Sequence, residues 1–285
     1  MKDIDIIIPV HEYNDEVKEL LKGAIESVVE AQKYYTEGKL KCLLVYSDNI
    51  ADTGIANDVD TEFKGKIEVT SIKNDGKTDY CSQINFGVDH VKTDFFSILE
   101  FDDAYTPKWF MNANKYFYGN ESISVFIPVN LIHETFTTEH GENERWQYGN
   151  TMAISPMFMT SDENDNDELG IINYIRLEKC ALFNITGAIF NTNDFISVGK
   201  YKPSIKAAFN YELLLRMTKL GLKAMVVPKE GYIHDIGRKG SLTDVYKNEM
   251  TEEELDKWFN LAMRECAYKE DREKDIVNIK EEAVK

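Results

Sequence analysis

Strand and helix alternate through the first half of this chain, and that alternation restricts its fold more than any other feature. Asp3 to Val10 reads as a buried strand, with Ile4, Ile6, Ile7 and Ile8 before Pro9-Val10. His11-Glu12-Tyr13-Asn14-Asp15 is a loop. Asn14 or Asp15 caps a helix to about Tyr34, with Val17, Leu20, Leu21, Ala24, Val28 and Ala31 near helical spacing. Cys42 to Tyr46 and Ile67 to Ile72 are further strands. Asn74-Asp75-Gly76 turns the chain, Thr78 to Val91 has a helical pattern, and Phe95 to Leu99 is a fourth strand. This is the signature of an α/β protein: a Rossmann-like, doubly wound, mostly parallel central sheet with flanking helices. Ligands of such sheets sit outside the carboxyl ends of the strands. The loops after Val10, Tyr46, Ile72 and Leu99 all lie at such ends, so they are expected to meet at one crevice.

One of these loops is chemically unusual. Leu99-Glu100-Phe101-Asp102-Asp103 takes an apolar strand straight into three carboxylates. Such groups repel unless a cation or a donor sits among them. A solvated turn is the plain alternative, since Asp is a common turn residue. The formal charge of −17 bears on the choice. It disfavours nucleic acid and anionic lipid as partners. It also repels a nucleotide diphosphate, so a site for one needs a local positive source, and a divalent cation would supply it. The 43% hydrophobic content is ample for a core. No apolar run is long enough to span a bilayer, and the N-terminus enters a strand pattern at once. Cys42, Cys81, Cys180 and Cys266 show no paired metal spacing, which suits reduced core thiols and a cytoplasmic setting.

The second half is less regular. Thr106-Pro107 starts a helix, with Thr106 as cap and Pro107 in the first turn, and Ile123 to Val129 is a strand. From His133 to Asn184 the pattern weakens, in a stretch holding Trp146, Tyr148 and an acidic run, Asp162 to Glu168. That run lacks the Gly and downstream Glu of a calcium loop. Regularity returns at Ile185 to Phe190. A helix runs from Asn210 to Leu220 and stops at Gly221. Ala224 to Val227 is a short strand before Pro228. Thr251 with Glu254 forms a capping box that opens an amphipathic helical tail, with Leu255, Phe259 and Met263 on its apolar side. The expected organisation is a ligand-binding half (1–127), a second half of the same domain (128–247) and a C-terminal helical extension (248–285).

Four segments, taken in order, resemble family 2 glycosyltransferases of the nucleotide-diphospho-sugar (GT-A) fold. They are Ile6-Ile7-Ile8-Pro9-Val10-His11; Asn85-Phe86-Gly87 with Ile98-Leu99-Glu100-Phe101-Asp102-Asp103; Thr186-Gly187-Ala188-Ile189-Phe190 through Asn210-Tyr211-Glu212-Leu213; and Tyr232-Ile233-His234. The resemblance implies a metal-dependent transfer of a sugar from a nucleotide-sugar donor, a UDP-sugar being expected, to a hydroxyl acceptor of unknown kind. It implies that Pro9, Val10 and His11 receive the nucleoside and that Asp48 reads the nucleobase edge. It implies that Asp102 contacts ribose or metal, that Asp103 and His234 hold the metal, and that the metal is Mn²⁺ or Mg²⁺. From the residues themselves, Lys77 is placed near the nucleotide. Gly237-Arg238-Lys239-Gly240-Ser241, a basic Gly-flanked loop, is expected to close over the diphosphate through Arg238. The insert with Trp146 and Tyr148 is the expected acceptor surface.

The chain departs from the family at one catalytic position. Where members carry Glu-Asp at a helix start, this sequence has Phe209-Asn210, and Asn is no general base. Glu212 or Asp235 serves as base, or the reaction needs none, or the protein binds a sugar nucleotide or glycan without transfer. A nucleotidyltransferase would show a Gly-rich basic loop after the first strand, and Pro9-Val10-His11-Glu12-Tyr13 has none. A hydride-transfer enzyme would need Gly-x-Gly-x-x-Gly there.

Overall fold

The structure is a computed structural model that describes residues 2–74, 76–117, 122–138, 141–155, 169–179, 183–236, 238 and 241–266. The first half builds as its pattern predicts. β1 (Ile4–Val10) is buried along its whole length, and α1 (Asp15–Tyr34) follows, with the Asn14 side chain accepting from the Val17 N–H. β2 (Leu40–Tyr46), α2 (Ile55–Phe63), β3 (Glu68–Lys73), α3 (Tyr80–Val88) and β4 (Phe95–Ile98) complete it. The three junctions within the order β3-β2-β1-β4 are all parallel. α2 has no counterpart in the sequence reading; its Ile55, Val59 and Phe63 are buried at helical spacing after a left-handed Gly54.

The rest of the chain extends that sheet with mixed pairing. β5 (Ala104–Tyr105) and α4 (Trp109–Phe117) lead to β6 (Ile123–Thr138) and β7 (Gly141–Gly149), an antiparallel hairpin. β8 (Ile171–Ile172), α5 (Tyr174–Lys179), β9 (Ile189–Asn191), α6 (Thr192–Ser197), α7 (Phe209–Lys219), β10 (Lys223–Ile236), α8 (Leu242–Glu249) and α9 (Glu252–Glu265) follow. The sheet order is β3-β2-β1-β4-β9-β6-β10-β5, with β7 on β6 and β8 on β10. β6 and β10 are parallel; β9 runs against both of its neighbours.

Three expectations need correction. β10 does not end before Pro228 but continues to Ile236. The register against β6 shifts between Val226 and Glu230, so Pro228, which has no N–H to give, sits in the irregular stretch. The stretch after His133 is not irregular at its start: it continues β6 and turns into β7. Thr106 does not cap α4; its hydroxyl donates to the Glu230 carbonyl. The capping box of Thr251 and Glu254 forms as read. The acidic run 162–168 and Cys180 lie outside the described residues.

Two apolar clusters cover the two sheet faces. One gathers α1, α2 and α4; the other gathers α3 and α7 with Val125, Ile127 and Val129 of β6. α9 packs on α7, with the Tyr211 and Phe259 rings 5.6 Å apart. No helix among the described residues is long and apolar enough to cross a membrane.

Candidate active site

The connections from β1 to β2 to β3 step outward in one direction, and β4 then returns to the other side of β1. The crevice between the carboxyl ends of β1 and β4 is therefore the switch point of this sheet. His11 leaves β1 there. Glu100 to Asp103 leave β4 there in a tight turn, closed by the Asp103 N–H on the Glu100 carbonyl (3.1 Å).

Tyr232 holds this turn from behind. Its hydroxyl accepts the Glu100 N–H at 3.0 Å. The ring fits because Gly187 faces it: a Cβ there would stand 2.2 Å from the Tyr232 ring, and Gly187 has φ +70°. Asp103 is buried. Its Oδ2 pairs with His234 Nδ1 at 2.9 Å and its Oδ1 accepts the Asp235 N–H at 2.9 Å. Asp102 Oδ2 accepts from Arg238 Nε at 2.7 Å, and the guanidinium lies 5.0 Å over the Phe101 ring. Arg238 also stands 3.7 Å from Glu12.

One oxygen from each of Glu100, Asp102 and Asp103 lies within 4.8 Å of the other two. Burial, with the charge of Asp103 and then Asp102, pushes the Glu100 carboxyl up to about 8. Burial works to lower His234, but its hydrogen bond to Asp103 and the surrounding carboxylate charges outweigh that and bring it to about 9. The cluster thus holds more negative charge than its two basic neighbours offset, and protons take up part of the excess. Hard oxygen donors so arranged fit Mg²⁺ or Mn²⁺.

Beside the cluster opens a cleft of about 250 Å³. Pro9, His11, Glu100, Asp102 and Arg238 line it, five positions that the sequence singled out. Thr78 and Asp79 with Tyr80, Cys81 and Gln83 of α3, the loop with Pro203, Ile205 and Lys206, and Tyr246 of α8 also line it. The sequence reading missed these as site residues. The position of Thr78-Asp79-Tyr80 after a strand end was the one available signal.

The other sequence-derived positions are placed differently. Val10 is buried among apolar side chains, and only its carbonyl works nearby, accepting the Ser47 N–H. Asp48 pairs with Lys73 at 2.8 Å, exposed and outside the cleft lining. Lys77 is exposed, and its N–H closes a turn on Asn74. His234 and Asp103 stand behind the cleft wall and hold each other. Asn210 accepts from the Tyr201 hydroxyl at 2.7 Å. Glu212 does not reach the cleft: it is fully buried, bonded to Arg216 (2.7 and 2.9 Å) and to Lys202 (3.0 Å). Asp235 keeps an exposed carboxylate that pairs with His133 Nδ1 at 3.2 Å. Within the basic loop, Gly237, Lys239 and Gly240 lie outside the described residues.

No curated protein matches the sequence. Among solved structures, S. aureus TarS 1-349 in complex with UDP-GlcNAc is similar, with a TM-score of 0.61, 10% identity, and 92% of this chain and 65% of that one covered. The mannosyltransferase PcManGT from Pyrobaculum calidifontis, in complex with GDP-Man and Mn²⁺, has a TM-score of 0.61 and 13% identity over 92% of this chain and 64% of that one. This chain thus spans just under two thirds of either, and the likeness is one of fold. The family model described as glycosyl transferase family 2 matches residues 5–184, and the chain belongs to that family.

Proposed function

We propose that this protein transfers a sugar from a nucleotide-sugar, with UDP as the expected carrier, to a hydroxyl acceptor, with Mn²⁺ or Mg²⁺ bound at Asp102 and Asp103. The observation that carries this reading is the under-compensated trio of Glu100, Asp102 and Asp103 at the sheet's switch point, beside a cleft, in a family 2 chain. The bound ion would offset the charge of the donor diphosphate and of the leaving nucleotide. His11 and Phe101, with ring centroids 5.9 Å apart, offer the nucleoside an aromatic wall. Arg238, which lies on Asp102, is the group that turns to the diphosphate when a donor enters. His234 orients Asp103 through Nδ1 and is the third candidate to hold the ion.

Of the two residues named for proton removal, Glu212 is sealed by two cations, and Asn210, at the position where family members carry the base, is none. Asp235 has an exposed carboxylate one residue from His234, and in this reading it takes the acceptor proton. A thermal-shift screen with UDP- and GDP-sugars, with and without Mn²⁺, tests the donor site. A rise in Tm that needs both a nucleotide-sugar and Mn²⁺ supports it, and no rise with any pair removes it.

A second reading rests on Asn210 and the sealing of Glu212: a protein that binds a sugar nucleotide without transfer. Donor hydrolysis separates the two. The transferase reading expects slow Mn²⁺-dependent release of UDP that falls in Asp235→Asn, whereas binding with no release favours the second.

A further inference from the structure

The hairpin of β6 and β7 stands beside this site and carries exposed aromatic side chains that packing alone does not explain. Trp146 is 54% exposed and Tyr148 61%. Cross-strand pairing places them opposite His133 and Leu131, and β10 places Asp235 and Ile233 opposite the same two residues. Side chains in register share a face. Alternation along β6 puts His133 on the side of Val125, Ile127 and Val129, the side that faces α3 and α7. That is the side on which Thr78 to Gln83 and Phe209 line the cleft.

Trp146 is also held in place. Its ring lies on His133, with centroids 4.4 Å apart and planes 30° from parallel. Asp235 in turn fixes His133 through Nδ1, and the Asp235 N–H is bonded to Asp103. A chain of contacts therefore runs from the carboxylate cluster to one supported face of the indole, while more than half of its surface stays open. Two inter-strand spacings separate Trp146 from β10, about 10 Å. The rim is acidic: the side chains of Glu144 and Asp235 are 67% and 45% exposed. Tyr148 sits two residues along the same face, roughly 7 Å away.

We infer that Trp146, with Tyr148 beside it, is the docking platform for a neutral pyranose of the acceptor, which stacks on the indole and donates hydroxyl hydrogen bonds to the Glu144 and Asp235 carboxylates. This rests on the transferase reading above. A pyranose has one face of C–H bonds, which suits the negative face of an aromatic ring. Its hydroxyls suit carboxylate acceptors at the rim. An anionic sugar would meet these carboxylates and a net charge of −17. His133 is a positioning residue, because it acts through the indole.

The test uses the full chain with UDP and Mn²⁺, titrated with the methyl glycosides of glucose, galactose, mannose and N-acetylglucosamine and, as the anionic comparison, methyl glucuronide. Ligand-observed NMR reads binding. At least one neutral glycoside should saturate, about tenfold more weakly with Trp146→Ala, while Trp146→Tyr keeps most of the binding. Methyl glucuronide should bind more weakly than its neutral counterpart. Because the indole is exposed, the Tm of Trp146→Ala should match that of the unaltered protein. Equal binding by Trp146→Ala, or no saturable neutral glycoside, overturns the inference. Donor binding is measured on the same unaltered protein: if UDP-sugars bind and no glycoside does, the platform alone fails, whereas if no nucleotide-sugar binds, the transferase reading fails.

Discussion

Two clusters of acids and bases in this molecule are built to opposite ends. Glu212 meets both Arg216 and Lys202, and all three side chains are essentially without solvent contact. Arg216 also donates to the carbonyls of Val198 and Lys200, and Lys202 to the Glu265 carbonyl, so every strong donor has a partner. That cluster ties α7 to the loop before it and to the end of α9. The cluster of Glu100, Asp102 and Asp103 sets three carboxylates against one histidine and one arginine, at a cleft edge. Full compensation makes the first a fixed part of the core. The deficit in the second is one that a further cation would offset. Burial alone does not tell these two clusters apart; the balance of charge does.

The comparison breaks most visibly at Glu212. Glu212→Gln leaves two buried cations facing a neutral amide, at a cost of about 3–5 kcal/mol, and Tm should fall by on the order of 10 °C in thermal melts. A variant that melts like the unaltered protein would show that the triad is not the fixed element described here. Asp102→Asn should do the reverse: turnover of a UDP-sugar falls on the order of 10²-fold while Tm moves by only a few degrees. Kinetics and melts on one preparation give both numbers.

A third effect is one of pH. His234, at about 9 in the fold, lies above its ordinary value near 6.5, so its stabilising contribution is present below that value and is lost as pH rises through about 9. Glu100, brought to about 8, has the same sign, since the folded protein holds a proton that the unfolded chain releases. Metal-free Tm should therefore fall between about pH 7 and pH 9. Mn²⁺ displaces the same protons, so the Tm rise it produces should grow over that range. A Mn²⁺ effect that shrinks with pH would contradict the assignment. The smallest effect is expected at Arg238, whose side chain crosses the cleft edge without anchoring an element: Arg238→Ala should weaken UDP-sugar binding about fivefold by calorimetry, with Tm unchanged.

The cleft edge was readable because its rules are local. A buried strand that ends in a polar loop places the loop at a known edge of the sheet, and Pro9, His11, Glu100 and Asp102 follow from that alone. The apolar pattern misled where distant partners decide. Pro228 looked like the end of a strand because Pro cannot donate to a ladder, yet β10 passes it through a register shift and carries Tyr232, His234 and Asp235 to the site. Glu212 and Arg216 are spaced i, i+4, which reads as an exposed pair on a helix. Only the arrival of Lys202 and of α9 turns that face inward. His133 and Trp146 stand 13 positions apart, and their contact depends on a hairpin register that weak alternation in an aromatic and acidic stretch does not announce.

The central claim is that the deficit at Asp102 and Asp103 is filled by a divalent ion that carries the donor diphosphate. Electron paramagnetic resonance of free Mn²⁺, titrated with the protein and UDP, measures this directly. The account predicts one Mn²⁺ site per chain, tightened by UDP and lost in Asp102→Asn/Asp103→Asn. A site that keeps its affinity for Mn²⁺ in that double variant, or no Mn²⁺ uptake with UDP present, would contradict it.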